Sequence, residues 1–326
     1  MFDTHYDLLT KLYISYKRNN FEYIENWIKN YNYNNVTGLI ANLSFMSQKE
    51  MNEEYDVNYY HNGDSVIEMF AISTHLLNKY IPKDILVLTS IEGCDYLSDE
   101  NDLYYLKKLG LNSILPAWNY ENKFASGSRS NSGLTNMGRK LIDIASELDI
   151  AVDLSHLNEK SFWNIINYVK NNKLNTKLFA SHSNVFNLCE TSRNLTNDQI
   201  IAISDLGGLI GVMSNSRFVD IGSMQKIKFL KGTSFYEKYI EYLKEKYIEH
   251  ILYIEKLTNN INSICLSTDD MGFCELDKYN DRKIFEYGNI AYEINNLLMN
   301  YYNEEDINKI MHENIENFFN KKMILK

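Results

Sequence analysis

Eight short runs rich in β-branched and aliphatic residues recur from one end of the chain to the other, each followed by a longer amphipathic stretch. They fall at 1–5, 37–43, 85–91, 113–117, 150–155, 178–181, 209–213 and 263–267. Strands alternating with helical stretches are the pattern of βα units and a parallel sheet. Apart from the first, the runs are built of Ile, Val, Leu or Ala with little polar alternation, as expected of strands covered on both faces. Helical spacing occupies 66–80, 136–148, 160–170, 198–206 and 236–257. Asn158 is placed to cap one of these helices, and Thr196 with Gln199 reads as the capping box of another. Eight repeats fit a closed TIM-type (β/α)8 barrel better than an open doubly wound sheet, which usually has about five or six strands. The stretches 284–299 and 305–320 read as a helical closure, and no linker or break in composition divides the 326 residues, so one domain over 1–326 is expected.

Charge narrows the partners. With 33 Lys+Arg against 43 Asp+Glu the formal charge is −10, and no block of basic residues occurs. Nucleic acids and anionic membranes both demand clustered positive charge, so the sequence points to small-molecule partners instead. No run approaches the ~18 apolar residues of a membrane span, and residues 1–7 lack a basic stretch leading into an apolar one, so a cytoplasmic protein is expected. Cys94, Cys189, Cys265 and Cys274 lie far apart with no CxxC pair, which fits buried, idle thiols rather than a disulfide framework or a zinc ribbon.

Among seven histidines, His5, His156 and His182 each fall at the C-terminal end of an expected strand. In a parallel barrel those ends converge on the face that carries the chemistry. His5 and Asp7 are separated by one residue, so in an extended segment both side chains point the same way. Glu92 closes the third run ahead of Gly93, and Asp269 with Asp270 closes the eighth. Neutral imidazoles together with carboxylates suit Zn²⁺ and related divalent ions, and three histidines with a shared Glu and an Asp suffice for two of them.

The run Asp153-Leu154-Ser155-His156-Leu157, followed by Phe162-Trp163, Ala180-Ser181-His182-Ser183-Asn184, the stretch from Ser192-Arg193-Asn194 to Ile200, and Gly207-Gly208-Leu209-Ile210-Gly211-Val212, resembles the membrane (renal) dipeptidase family of zinc metallopeptidases. Asp3-Thr4-His5-Tyr6-Asp7-Leu8 is similar to that family's opening metal motif, and Ile91-Glu92-Gly93 to the segment with its bridging glutamate. The resemblance implies a (β/α)8 barrel, two zinc ions and a homodimer. It implies that His5 and Asp7 bind one metal, that Glu92 bridges, and that His156 and His182 bind the other. It further implies that Arg193 grips a substrate carboxylate, that Asp269 is the acid/base, and that a metal-bridging hydroxide attacks the peptide bond of a small dipeptide.

The chain also departs from the family pattern. Cys94-Asp95 follow Glu92-Gly93 where another Gly and a His are common, and Trp118-Asn119 stand where some members place a substrate-holding His, which makes Trp118 or Asn119 a candidate pocket wall. The family's Asp-Phe-Asp-Gly appears as Asp269-Asp270-Met271-Gly272. Two alternatives therefore remain beside the dipeptidase: a barrel hydrolase of another amide, a lactone or a β-lactam, and a metal-binding barrel without turnover. His312-Glu313-Asn314-Ile315-Glu316 lacks the second His of a zincin helix and reads as a solvated face. His61, His75 and His250 have no partner at ligand spacing and read as surface or satisfied residues. The tyrosines at 236, 239, 242 and 247 read as packing.

Overall fold

The computed structural model describes residues 1–22, 24–25, 28, 36–44, 64–270, 283–285 and 289–321. Its centre is an eight-stranded sheet in the order β6-β5-β4-β3-β2-β1-β8-β7. The strands are β1 Phe2–Tyr6, β2 Gly38–Ser44, β3 Leu86–Glu92, β4 Ser113–Leu115, β5 Ala151–Asp153, β6 Leu178–Phe179, β7 Ile210–Met213 and β8 Ile264–Ser267. All pair in parallel. A parallel bridge between Ala180 and Ile210 joins β6 to β7, and Gly211 N–H donates to Ala180 O at 2.7 Å, so the ends of the sheet meet. This is the expected TIM-type barrel.

Several expected strands are shorter than their apolar runs. β4, β5 and β6 stop at Leu115, Asp153 and Phe179 because the chain beyond them leaves the ladder and turns into the loops over the barrel mouth. The helix Val66–Tyr80 has the expected bounds, and Asn136–Glu147, Glu159–Asn172, Asn197–Asp205 and Tyr236–Thr258 agree within two residues. Asn158 accepts from Ser161 N–H and Thr196 closes a capping box with Gln199, as their side chains dictate. Helices Leu8–Arg18, Asp102–Lys108, Ser216–Val219 and Ser223–Leu230 were not anticipated. Among the described residues no helix is long and apolar enough to cross a membrane.

The barrel interior is apolar at one end and polar at the other. Phe2, Ile40, Leu88, Ala151, Phe179, Leu209 and Cys265 form one buried cluster at the N-terminal end. Side chains on one face of a strand recur every second residue. Two residues further along each strand or its extension stand Thr4, Asn42, Ser90, Asp153, Ser181, Gly211 and Ser267. The expectation of little polar alternation therefore needs correction: beyond β1 the outward positions are apolar except for Thr89, while the inward ones turn polar halfway up the barrel. Gly211 lies where β6 and β7 are drawn together. A Cβ there would sit 1.9 Å from Ser181 O and 2.4 Å from Thr4 Oγ1.

The C-terminal stretch closes the apolar end. Ile290–Leu298 and Glu304–Asn308 are α-helical, Lys309–Glu313 is a π-turn, and Asn314–Phe318 delivers Ile315 and Phe319 into the Phe2–Cys265 cluster. Asn314 donates to Ile261 O and Ile264 O at 2.9 and 2.8 Å. The 312–316 segment is thus a docked plug rather than a solvated face, with His312 Nδ1 3.2 Å from Glu316 Oε1. His75 is exposed and His61 lies outside the described residues. Cys94, Cys189 and Cys265 are buried free thiols, while Cys274 lies outside the described residues.

Candidate metal centre

The polar end of the barrel gathers the residues singled out above. His5 comes from β1, Glu92 ends β3, and His156 and His182 follow β5 and β6 by three residues each. All four are buried, as is Asp7 at the start of helix Leu8–Arg18. Glu92 is the hub. Its Oε2 lies 3.5 Å from His5 Nε2, and its Oε1 lies 3.1 Å from His156 Nε2 and 3.5 Å from His182 Nε2. His5 Nε2 is 4.0 Å from Asp7 Oδ1, and the two Nε2 atoms of His156 and His182 are 2.9 Å apart. Among the described residues, His5, Glu92 and His182 bring their ligand atoms within 4.8 Å of one another, as a candidate metal group requires.

Asn42 and Ser44, two residues apart on β2, hold the carboxylates in place. Asn42 Nδ2 donates to Asp7 Oδ1 and Glu92 Oε2, both at 3.1 Å. The Ser44 hydroxyl bonds Asp7 Oδ1 and lies 2.9 Å from Glu92 Oε2. Behind the histidines stand Asn119, whose Oδ1 is 3.1 Å from His156 Nδ1, and Ser181, whose Oγ is 2.7 Å from His182 Nδ1 and 3.3 Å from His5 Nδ1. Trp118 is nearly buried and stacks on His156 with ring centroids 5.4 Å apart.

The electrostatics divide the histidines. Burial and the nearby Arg193 push His156 down to about 3, and burial together with His5 holds His182 well below its ordinary value. Both therefore present neutral rings. Burial also opposes a charge on His5, but the Glu92 carboxylate overrides it and raises that ring to about 10. Burial likewise opposes the charge of Glu92, yet the three histidines keep it well below the usual carboxylate range. Burial followed by the charge of Glu92 pushes Asp7 up to about 7. Without a cation, the Asp7–Glu92 pair thus draws a proton onto His5.

Asp269 and Arg193 flank this cluster. Asp269 Oδ2 accepts from Asn215 Nδ2 at 3.1 Å, and burial raises its carboxyl, with the charge on His5 pulling the other way. Asp269 and His156 both adopt left-handed backbone angles, φ +51 and +63. Such angles cost a non-glycine residue about 1 kcal/mol or more and persist where the surroundings dictate them. Arg193 donates through Nη2 to His182 O at 3.4 Å, lies 5.7 Å from the Phe218 ring centroid, and has a buried Nε with no hydrogen-bond partner among the described residues. Burial lowers its guanidinium to about 10, against the attraction of Asp269 and Glu92.

The loops carrying Arg193 and Phe218 are tied together from beneath. Asn184 Nδ2 donates to Met213 O and Phe218 O at 3.0 and 3.1 Å, and Asn194 Nδ2 reaches Phe218 O at 2.9 Å. His250, fully buried on helix Tyr236–Thr258, accepts Val185 N–H at Nδ1 and bonds Val219 O through Nε2, both at 3.1 Å. Of the residues in the motifs likened to the family, Met271 and Gly272 lie outside the described residues. Asn42, Ser44, Asp153, Ser181 and Asn215 have no role assigned from sequence, whereas Asn119 is a candidate pocket residue there beside Trp118. For Asn42, Ser44, Asp153 and Ser181 the one signal is a polar side chain at an inward position of an otherwise apolar strand or its extension.

The model of the membrane dipeptidase family, peptidase family M19, matches residues 65–322. An uncharacterised protein from the pqqA 5′ region of Klebsiella pneumoniae is 36% identical over 146 residues, covering 42% of this chain and 52% of its own length. An uncharacterised dipeptidase of Schizosaccharomyces pombe is 24% identical over 258 residues, covering 72% of this chain and 57% of its own. The chain thus spans about half the length of the curated relatives it matches. A metallo-peptidase of Rhodobacter sphaeroides, solved with a phosphinate mimic of the dipeptide L-Ala-D-Ala, superposes with a TM-score of 0.71 at 17% identity, covering 98% of each chain. A probable dipeptidase of Pseudomonas aeruginosa gives a TM-score of 0.64 at 16% identity, over 87% of this chain and 85% of its own. At these identities the superpositions speak to fold alone.

Proposed function

Because the chain belongs to the membrane dipeptidase family, peptidase family M19, we propose that it is a metal-dependent dipeptidase and that residues 1–326 form one barrel domain. The observation that carries this reading is the division of labour at Glu92, whose two oxygens face different histidines. A carboxylate so placed suits two cations. His5, Asp7 and Glu92 Oε2 would hold one, and His156, His182 and Glu92 Oε1 the other. The donor set fits: the His156 and His182 rings are neutral with their Nε2 atoms face to face, and imidazole with carboxylate suits Zn²⁺. The proton drawn onto His5 marks where positive charge is wanted. Bound there, two divalent ions supply Lewis-acid polarisation of the scissile carbonyl and an activated water.

The chain's own residues supply the rest. Arg193 is the group for the substrate's free carboxylate, because a guanidinium whose Nε has no hydrogen-bond partner among the described residues can offer a planar pair of donors. Asp269, with its carboxyl raised by burial, is poised to accept a proton and pass it to the leaving amine. Asn215 orients it, and Trp118 walls the pocket beside His156. The phosphinate dipeptide mimic bound by the Rhodobacter relative makes L,D-dipeptides natural members of the first substrate panel, beside L,L-dipeptides.

The purified protein is expected to split short dipeptides, to lose activity to a chelator and to regain it with zinc. Hydrolysis that survives complete metal removal would overturn the reading. Trp118, standing where a substrate-holding His is found in some members, favours one second reading, a hydrolase of another amide, a lactone or a β-lactam; the same panel extended to those bonds separates the two. The homodimer and the cytoplasmic location rest on the resemblance and on the sequence, and light scattering and cell fractionation test them.

A further inference from the structure

Beneath the five proposed ligand side chains, one serine touches two of the three histidines at once. Ser181 Oγ bonds Asp153 Oδ2 and lies 2.7 Å from His182 Nδ1 and 3.3 Å from His5 Nδ1. Asp153 is itself saturated: its Oδ1 accepts the N–H groups of Ser155 and Ser181, each at 3.0 Å. Asp153, Ser181, His5 and His182 are all buried, so no water competes for these bonds. A hydroxyl has one proton to give and two lone pairs to offer. The carboxylate can only accept, so the serine proton must point at Asp153. Both remaining sites on Ser181 Oγ are then open to donors, and among the described residues those in reach are the Nδ1–H groups of His182 and His5.

We propose that Ser181, locked by Asp153, is a shared positioning residue that keeps Nδ1 of both His5 and His182 protonated, with both Nε2 atoms turned toward Glu92. The inference rests on the metal-centre reading for its purpose but not for its geometry. A ligating histidine is commonly oriented through its second nitrogen, and loss of such a partner typically costs about 10–100-fold in metal affinity. Here one hydroxyl serves a histidine from each end of the cluster. The two halves of the centre are therefore coupled through Asp153. Asn119 Oδ1 gives His156 a separate support, so the coupling excludes that ring.

Asp153→Asn is a nearly isosteric test with an unusual signature. Its amide oxygen must still face the two N–H groups, which turns the NH₂ toward Ser181 Oγ. Ser181 then accepts from Asn and must donate its own proton onward, and His182 Nδ1, the nearer nitrogen, becomes the acceptor. In ¹⁵N-histidine-labelled protein, long-range ¹H–¹⁵N correlation is expected to find a protonated His182 Nδ1 in the parent, with and without zinc, and an unprotonated one in D153N. Competition with a chelator is expected to show zinc affinity lowered about 10–100-fold in the variant. Ser181→Ala, which removes the relay without reversing it, is expected to leave His182 with mixed tautomers and a similar loss of affinity. A His182 Nδ1 that stays protonated in D153N, or lacks its proton in the parent, overturns the proposal. A parent that binds no zinc overturns the metal reading instead, since the Nδ1 state is read on the metal-free protein as well.

Discussion

The neutral ring of His250 makes a quantitative claim about acid. It accepts Val185 N–H and bonds Val219 O, so it must carry a single proton, and burial holds it down at about 4 against an ordinary 6.5. Glu249 raises that value slightly and Lys246 lowers it, without changing the direction. As pH falls below 6.5 the unfolded chain takes up a proton that the folded chain refuses until about 4, so stability is present above 6.5 and drains away across that window. At about 1.4 kcal/mol per unit, the loss between pH 7 and pH 5 is about 2 kcal/mol. Protonation there would also release the segments at Val185 and Val219, between which the loops carrying Arg193 and Phe218 are held. Guanidinium unfolding of the parent and of His250→Gln at pH 7 and pH 5 measures this, because the other titrating groups cancel in the comparison. The variant is expected to be less stable at pH 7 but to lose about 2 kcal/mol less on acidification. Equal pH dependence in the two proteins would refute the argument.

Arg193→Ala is expected to lower kcat/KM for dipeptides about 10–100-fold, mainly through KM, the cost of about 1.5–3 kcal/mol for a lost bond to a charged group. Steady-state kinetics on a dipeptide and on its C-terminal amide check this, since the amide should be indifferent to the change. Asp269→Asn is expected to cut kcat about 10²–10⁴-fold while elemental analysis finds its metal content unchanged. Phe179, fully buried and 5.6 and 5.7 Å from the rings of Phe318 and Phe319, plugs the apolar end of the barrel. Its replacement by Ala is expected to cost about 3–5 kcal/mol in denaturant unfolding.

The barrel could be read in advance because outward strand positions pack against helices and are mostly apolar, which stamps seven runs rich in Ile, Val, Leu or Ala on the sequence after the first. His5, Glu92, His156, His182 and Asp269 stood out for the same reason: a titratable residue ending an apolar run has no use in a core. The supports could not be read. Asn42, Asp153 and Ser181 look like tolerated polar residues until the register of each strand turns them inward and the closed barrel brings β1, β2, β5 and β6 around one space. Strand ends at Leu115, Asp153 and Phe179 were overrun because the apolar run continues into the loops that shape the mouth. The 312–316 segment was misread because its apolar Ile315 packs into the barrel bottom, a long-range contact with no local signature.

The central claim is that Glu92 joins two metal sites. Elemental analysis of protein purified without chelators tests it most directly, with Glu92→Gln and His156→Ala measured beside the parent. Close to two equivalents of divalent metal, mostly zinc, are expected in the parent, about one in His156→Ala and little in Glu92→Gln. A parent without metal, or a Glu92→Gln variant that keeps both equivalents, would contradict the account.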